Sequence, residues 1–349
     1  MSKRIGTSLW RKAFKSALNK MTKAASRTGV SAIKKTLAAV VPKTSKRKPA
    51  KTIKPAKPKK SVSISRTDSP SGMTMGMAGL RRYSLYRPPG VRRTEHLPLI
   101  VMLHGCLQDA AALAVSSKMN QLAARKRFLV LYPEQEKLSN TQACWNWYDT
   151  RSGRAQREAK SIDAVIDQVC LLQPVDQQRI AVAGLSAGAS MAALLAISHP
   201  ARFRVLAMHS GIATGLAHSS ATAIMAMRGR RLNAAPLPTG IKLPALLVIQ
   251  GSKDRVVFPV NGVLVTQQWA TQSGAKASKP RTIQRGARYP ATITDYRIQG
   301  RIVVSLCEVN GLDHAWSGGA AGHAYSDPKG PDASSMIWAF ASKQFAYPS

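Results

Sequence analysis

Ser186, Asp254 and His314 are the residues whose types and order suit acyl transfer through an activated hydroxyl. Ser186 lies in Gly184-Leu185-Ser186-Ala187-Gly188, after the apolar run Ile180–Ala183 and before the helix-forming run Ala189–Ile197. A G-x-S-x-G pattern between a strand and a helix is a nucleophile elbow in outline. Its glycines let strand and helix close around a strained serine. The same five residues in a plainer role make a glycine-containing turn. A hydroxyl nucleophile needs a base, and the base needs an acid to orient it.

Asp254 stands just beyond Gly251, at the end of the apolar run Ala245–Gln250, and His314 follows Gly311, after the alternating run Arg301–Val309. Ligands in open α/β sheets bind at the carboxyl ends of the strands, so an acid and a base are expected at such positions. Each also has an ordinary role: Asp caps turns, and a loop histidine can simply face solvent. Asp313 adjoins His314, too close in the chain to meet its ring in the geometry needed. Of seven histidines, His104 is the main rival base. However, His104-Gly105-Cys106 ends an early strand, where the second oxyanion donor is expected. The backbone N–H groups of Cys106 and Ala187 are therefore the candidate oxyanion hole.

Positioning these groups takes a sheet. Pro98–Leu103 is almost purely apolar, as in a strand buried on both faces. It is followed by a predicted helix over 110–126 and a strand over 128–132. A predicted helix over 158–172 leads into the elbow strand, and 204–209 is a further strand. Residues 211–240 read as a cap or lid-like insertion. The spacing predicts a helix over 261–270, a hairpin from 292–297 and 301–309 around Gln299-Gly300, and a closing helix over 333–345. An edge strand, 81–86, opens the folded body. Strands alternating with helices give a mostly parallel sheet flanked by helices.

The chain has 349 residues, with 52 Lys and Arg against 16 Asp and Glu, a formal charge of +36. Residues 1–60 hold 19 of the basic residues and no acid. The remaining 33 basic and 16 acidic groups give residues 61–349 a charge of +17. Residues 1–70 are therefore expected to be a basic, largely disordered arm and linker, and 71–349 a catalytic domain. Ile5, Leu9, Trp10, Phe14, Leu18 and Met21 give the arm a weak helical stripe. Its Lys-Pro repeats suit an anionic polymer, nucleic acid or an anionic membrane surface. Few aromatics interleave with them, which argues against base-specific recognition. The arm also leaves room for a reading as a binding protein, an inactive body tethered to such a surface.

No run reaches the ~20 apolar residues of a membrane span, and no signal peptide pattern is evident. The expected location is the cytoplasm, with the extracellular space as the alternative. Four cysteines at scattered spacing make neither a disulfide scaffold nor a C-x-x-C metal site, and no metal or cofactor is expected. Cys106 and Cys144 flank motifs that could meet in space, and the sequence leaves their pairing open.

Leu103-His104-Gly105-Cys106, Cys144-Trp145-Asn146-Trp147, Ala183–Gly188, Gly251-Ser252-Lys253-Asp254 through Pro259–Gly262, and Gly311–Gly319 occur in order. Together they resemble the polyhydroxybutyrate depolymerase family of esterases over about residues 75–345. The resemblance implies an α/β-hydrolase fold and a serine carboxylesterase acting on short-chain polyhydroxyalkanoates or related esters. Feruloyl and acetylxylan esterases belong to the same group. Ala189-Ser190 stands where the family often has a second glycine. Trp145, Trp147 and Trp316, on loops near the expected site, are candidate walls of an apolar acyl groove or, equally, ordinary loop-anchoring core aromatics.

Overall fold

The computed structural model describes residues 72–230 and 233–347. The expected arm, its helical stripe and its linker lie outside the described residues. Thirteen strands and seven helices are found among those described. The strands are β1 Met73–Ala78, β2 Arg81–Tyr86, β3 Leu97–Leu103, β4 Leu129–Pro133, β5 Val175–Leu185, β6 Val205–His209, β7 Ala245–Gly251, β8 Lys276–Ala277, β9 Arg281–Ile283, β10 Ala291–Ile298, β11 Arg301–Val309, β12 Trp316–Ser317 and β13 Ser326–Asp327. The helices are α1 Ala110–Ser117, α2 Met119–Lys126, α3 Arg154–Leu172, α4 Ala187–Ser198, α5 Ser220–Met227, α6 Val260–Ser273 and α7 Ala333–Phe345.

Eleven strands form one sheet in the order β1-β2-β4-β3-β5-β6-β7-β11-β10-β8, with β9 also paired to β10. From β4 through β11 the pairs are parallel, and both flanks are antiparallel. All seven residues of β3 are buried. Leu99, Val101 and Leu103 join the core on one face, and Ile100 and Met102 join the core on the other. A strand covered on both sides must be apolar throughout, because successive side chains point to opposite faces. α3, α4 and α6 supply Ile162, Met191 and Trp269 to the first core. α1, α2 and α7 supply Leu113, Met119 and Ile337 to the second. This is the α/β-hydrolase arrangement, a mostly parallel sheet with helices on both faces.

Two expectations change. The strand at 81–86 is not the edge, because β1 pairs outside it. β1 is Met-Thr-Met-Gly-Met-Ala, with Met75 and Met77 exposed, so it lacks the β-branched alternation that marks a strand. The predicted helix over 110–126 is two helices, broken at Lys118 in the left-handed conformation with φ +57°. There the Ser117 hydroxyl accepts from the Met119 N–H at 3.3 Å, giving the backbone an alternative to continuing the helix. The segment expected to be a cap or lid-like insertion, 211–240, is hydrogen-bonded to α6. Asn261 Nδ2 donates to the Ala226 carbonyl (3.1 Å), and Gln268 Nε2 donates to those of Thr214 (2.9 Å) and Ala235 (2.6 Å).

Candidate active site

Ser186 caps α4 with φ +57° and ψ −120°, a conformation few side chains adopt. Two absent side chains permit it. A Cβ on Gly184 would overlap the Gly188 backbone, and one on Gly188 would overlap the Leu103 and His104 carbonyls. β5 and α4 thus close tightly, with β3 pressed against the turn. The Ser186 N–H donates to the His209 carbonyl at 2.9 Å, tying the elbow to the end of β6. Ser186 is partly exposed. Ala187, as the first helical residue, has no intrahelical acceptor for its N–H, and the positive end of α4 favours negative charge there.

The candidate acid and base come from the ends of β7 and β11, which are neighbours in the sheet. Backbone bonds join the two loops: Ser252 N–H to the Val309 carbonyl and Lys253 N–H to the Leu312 carbonyl, both 2.9 Å. Asp254 and His314 are buried, with Asp254 Oδ2 2.8 Å from His314 Nδ1. The other carboxylate oxygen accepts from the Val256 and Val257 N–H groups, each at 2.9 Å. Burial opposes the charged carboxylate, but the His314 charge, its hydrogen bond and the two amides outweigh it. The Asp254 carboxyl is held below its ordinary range. An ionised Asp254 fixes the proton on Nδ1 and leaves Nε2 as the basic nitrogen. Among the described residues Ser186 Oγ makes no hydrogen bond to His314. Such bonds often close only around bound substrate.

The loop after β3 lies beside the serine. A Cβ on Gly105 would stand 3.7 Å from Ser186 Cβ. The neighbouring amides are engaged: Gly105 N–H donates to Gln108 Oε1 (3.0 Å), Leu107 N–H to the Gln142 carbonyl (2.8 Å) and Gln108 N–H to the Gly105 carbonyl (3.3 Å). Among the described residues the Cys106 N–H has no acceptor. Cys106 is disulfide-bonded to Cys144, which answers the question the sequence left open.

His104 is not placed as a base. Burial pushes its imidazole down to about 4, and Nε2 accepts from the Gln135 N–H at 3.1 Å. His209 is also buried and pushed down to about 3, by burial first and then by the His314 charge. Its Nε2 accepts from the Ser317 N–H at 3.1 Å. The tryptophans depart from the groove-wall role. Trp145 and Trp316 are 0% exposed and Trp147 is 9% exposed, so none offers a broad face to a groove. Trp145 Nε1 donates to the His104 carbonyl at 3.0 Å, and Trp316 Nε1 donates to Ser334 Oγ at 3.2 Å. Trp147 packs edge-on against Tyr148. Trp145 and Trp316 brace their segments, because their indole N–H groups have buried acceptors.

A family model described as Esterase PHB depolymerase matches residues 81–279, more than half of the chain. The chain belongs to the esterase PHB depolymerase family. The match contains Ser186, Asp254 and the loop bearing Cys106, and it ends before His314. The chain is 31% identical to poly(3-hydroxyalkanoate) depolymerase C of Paucimonas lemoignei over 189 residues, 51% of this chain and 45% of that protein. It therefore spans less than half the length of that relative. A probable acetylxylan esterase A of Neosartorya fischeri is 26% identical over 250 residues, 64% of this chain and 67% of its own. The acetyl xylan esterase structure from Aspergillus awamori superposes with a TM-score of 0.56 at 19% identity, covering 67% of this chain and 89% of that one, which establishes the shared fold.

Sequence reasoning missed Glu158, Gln135 and Arg81, which are buried behind the loop bearing Cys106. A signal was present. In α3, Glu158 falls on the buried stripe of Ala155, Ala159 and Ile162. A carboxylate on an apolar stripe requires buried partners.

Proposed function

We propose that this chain is a serine carboxylesterase that cleaves short-chain polyhydroxyalkanoate or related esters through an acyl-enzyme at Ser186. The observation that carries the reading is the buried Asp254–His314 hydrogen bond at the ends of β7 and β11, in the same sheet as β5, which carries the elbow. In the mechanism, His314 Nε2 takes the Ser186 proton as Oγ attacks the ester carbonyl. The Cys106 and Ala187 amides hold the oxyanion. His314 then protonates the departing alcohol, and water repeats the sequence to free the acid. Asp254 keeps the ring oriented and stabilises its charged form.

The family and the depolymerase relative support a hydroxyalkanoate substrate. The broader alignment with acetylxylan esterase A supports a second reading, an acetyl- or feruloyl-type esterase. Testing p-nitrophenyl butyrate, acetylated xylan, methyl ferulate and amorphous polyhydroxybutyrate on wild type and Ser186→Ala separates them. Turnover of the polymer that is lost in Ser186→Ala is the expected result. Polymer left intact beside rapid deacetylation of xylan would favour the second reading.

The Cys106–Cys144 disulfide supports an oxidising compartment, and with it the extracellular space rather than the cytoplasm. Among the described residues no helix is long and apolar enough to cross a membrane.

A further inference from the structure

The loop Gln135–Asn146 grips the loop His104–Leu107 at four points. Gln135 N–H donates to His104 Nε2 (3.1 Å), Trp145 Nε1 donates to the His104 carbonyl (3.0 Å), Leu107 N–H donates to the Gln142 carbonyl (2.8 Å), and Cys144 is disulfide-bonded to Cys106. The gripping loop is itself held by one buried carboxylate. Glu158 Oε1 accepts from Gln135 Nε2 (2.9 Å) and Asn146 Nδ2 (2.5 Å), and Oε2 accepts from the Asn146 backbone N–H (2.9 Å). Gln135 Nε2 also reaches the Cys144 carbonyl at 3.0 Å. Arg81 closes the set from behind, donating to Gln135 Oε1 (3.2 Å), the Glu134 carbonyl (2.8 Å) and Ser161 Oγ (2.6 Å), with its guanidinium 5.0 Å from the Trp145 ring.

We propose that Glu158 is a positioning residue for ester hydrolysis: through Gln135, Asn146 and Cys144 it fixes where the Cys106 N–H points. This rests on the reading of that amide as an oxyanion donor. A carboxylate suits the hub because every partner that meets it is a donor. It offers two acceptor oxygens and brings no N–H of its own. The helix α3 carrying it packs in the core, so the hub is referenced to the rigid sheet rather than to the loops it holds. Glu158→Gln keeps the shape but turns one acceptor into a donor, facing the Asn146 or Gln135 donors. The loop must then shift, and a displaced amide loses transition-state contact while the ground-state ester still binds.

The test compares an ester with its thionoester, in which sulfur replaces the carbonyl oxygen and accepts poorly from an oxyanion hole. Wild type is expected to hydrolyse the oxo-ester far faster than the thionoester. In Glu158→Gln the oxo-ester kcat is expected to fall about 10- to 100-fold with KM within ~2-fold, while the thionoester rate changes little. The oxo/thiono ratio therefore collapses. Equal losses on both esters would overturn the positioning role, since a triad or folding defect lowers both together. A wild type that does not discriminate the two esters would instead overturn the Cys106 oxyanion reading beneath it. If Glu158→Gln does not fold, Asn146→Ala removes one donor of the same hub and carries the same expectation. An unchanged ratio there would also overturn the proposal.

Discussion

A single methyl group decides whether the elbow can exist. At Gly188 it would collide with the Leu103 and His104 carbonyls, buried backbone atoms at the end of β3 and just beyond it that cannot step aside. Gly188→Ala is expected to lower unfolding free energy by ~2 kcal/mol or more and to abolish ester hydrolysis, as read by urea titration and a butyrate assay. Asp254→Asn should leave the fold and KM nearly unchanged and lower kcat by about 10⁴-fold, because the amide no longer selects the Nδ1–H tautomer. Steady-state kinetics checks both parts. The placing of Ser186, Asp254 and His314 at strand ends was legible in the sequence, because apolar runs announce the strands before the first two and an alternating run announces the strand before His314. Between a groove wall and a buried anchor, the sequence left Trp145 and Trp316 open for a physical reason. A loop tryptophan's burial depends on whether its indole N–H finds a buried acceptor, here the His104 carbonyl and Ser334, and no local pattern encodes that.

The elements that end at the site are pinned by neutral histidines. His104 holds the loop after β3 to Gln135, and His209 holds β12 to the end of β6. Their folded pKa values, about 4 and about 3, lie below the ordinary 6.5. The unfolded chain therefore binds protons over that interval while the folded chain does not. The stability these groups contribute is complete above pH 6.5 and is lost as the pH falls toward 4 and below. Denaturation midpoints should drop on acidification from pH 7 to pH 4.5. His104→Asn, which stays neutral, should show a shallower drop. The disulfide adds a second constraint on the same loop, closing a separation of 38 residues. Reduction should cost about 3–4 kcal/mol of stability, seen as a lowered melting temperature, and should slow ester hydrolysis.

Element existence was largely legible. The closing helix stands over 333–345 as its spacing predicted, and the hairpin of β10 and β11 turns at Gln299-Gly300. The break at Lys118 was not legible, because it depends on Ser117 choosing a backbone partner. Nor was β1, whose methionines carry no strand signature and whose place is set by pairing with β2.

Across the whole molecule, charge and chemistry are separate in the sequence. Residues 1–60 carry 19 basic groups and no acid, whereas every proposed catalytic group lies beyond residue 100. Residues 70–349 form a compact unit with their own core. Deleting residues 1–70 is expected to leave butyrate hydrolysis within ~2-fold and to reduce retention on anionic vesicles or polyanion resin, with a steep dependence on salt. Retention that survives the deletion would assign the binding to the body instead.

The most direct measurement is intact-protein mass after reaction with a fluorophosphonate, followed by peptide mapping, run alongside hydrolysis of p-nitrophenyl butyrate. One adduct per chain, on the peptide containing Ser186, with labelling and hydrolysis both lost in Ser186→Ala, is the expected result. A label on any other residue, or full hydrolysis by Ser186→Ala, would contradict the acyl-enzyme at Ser186.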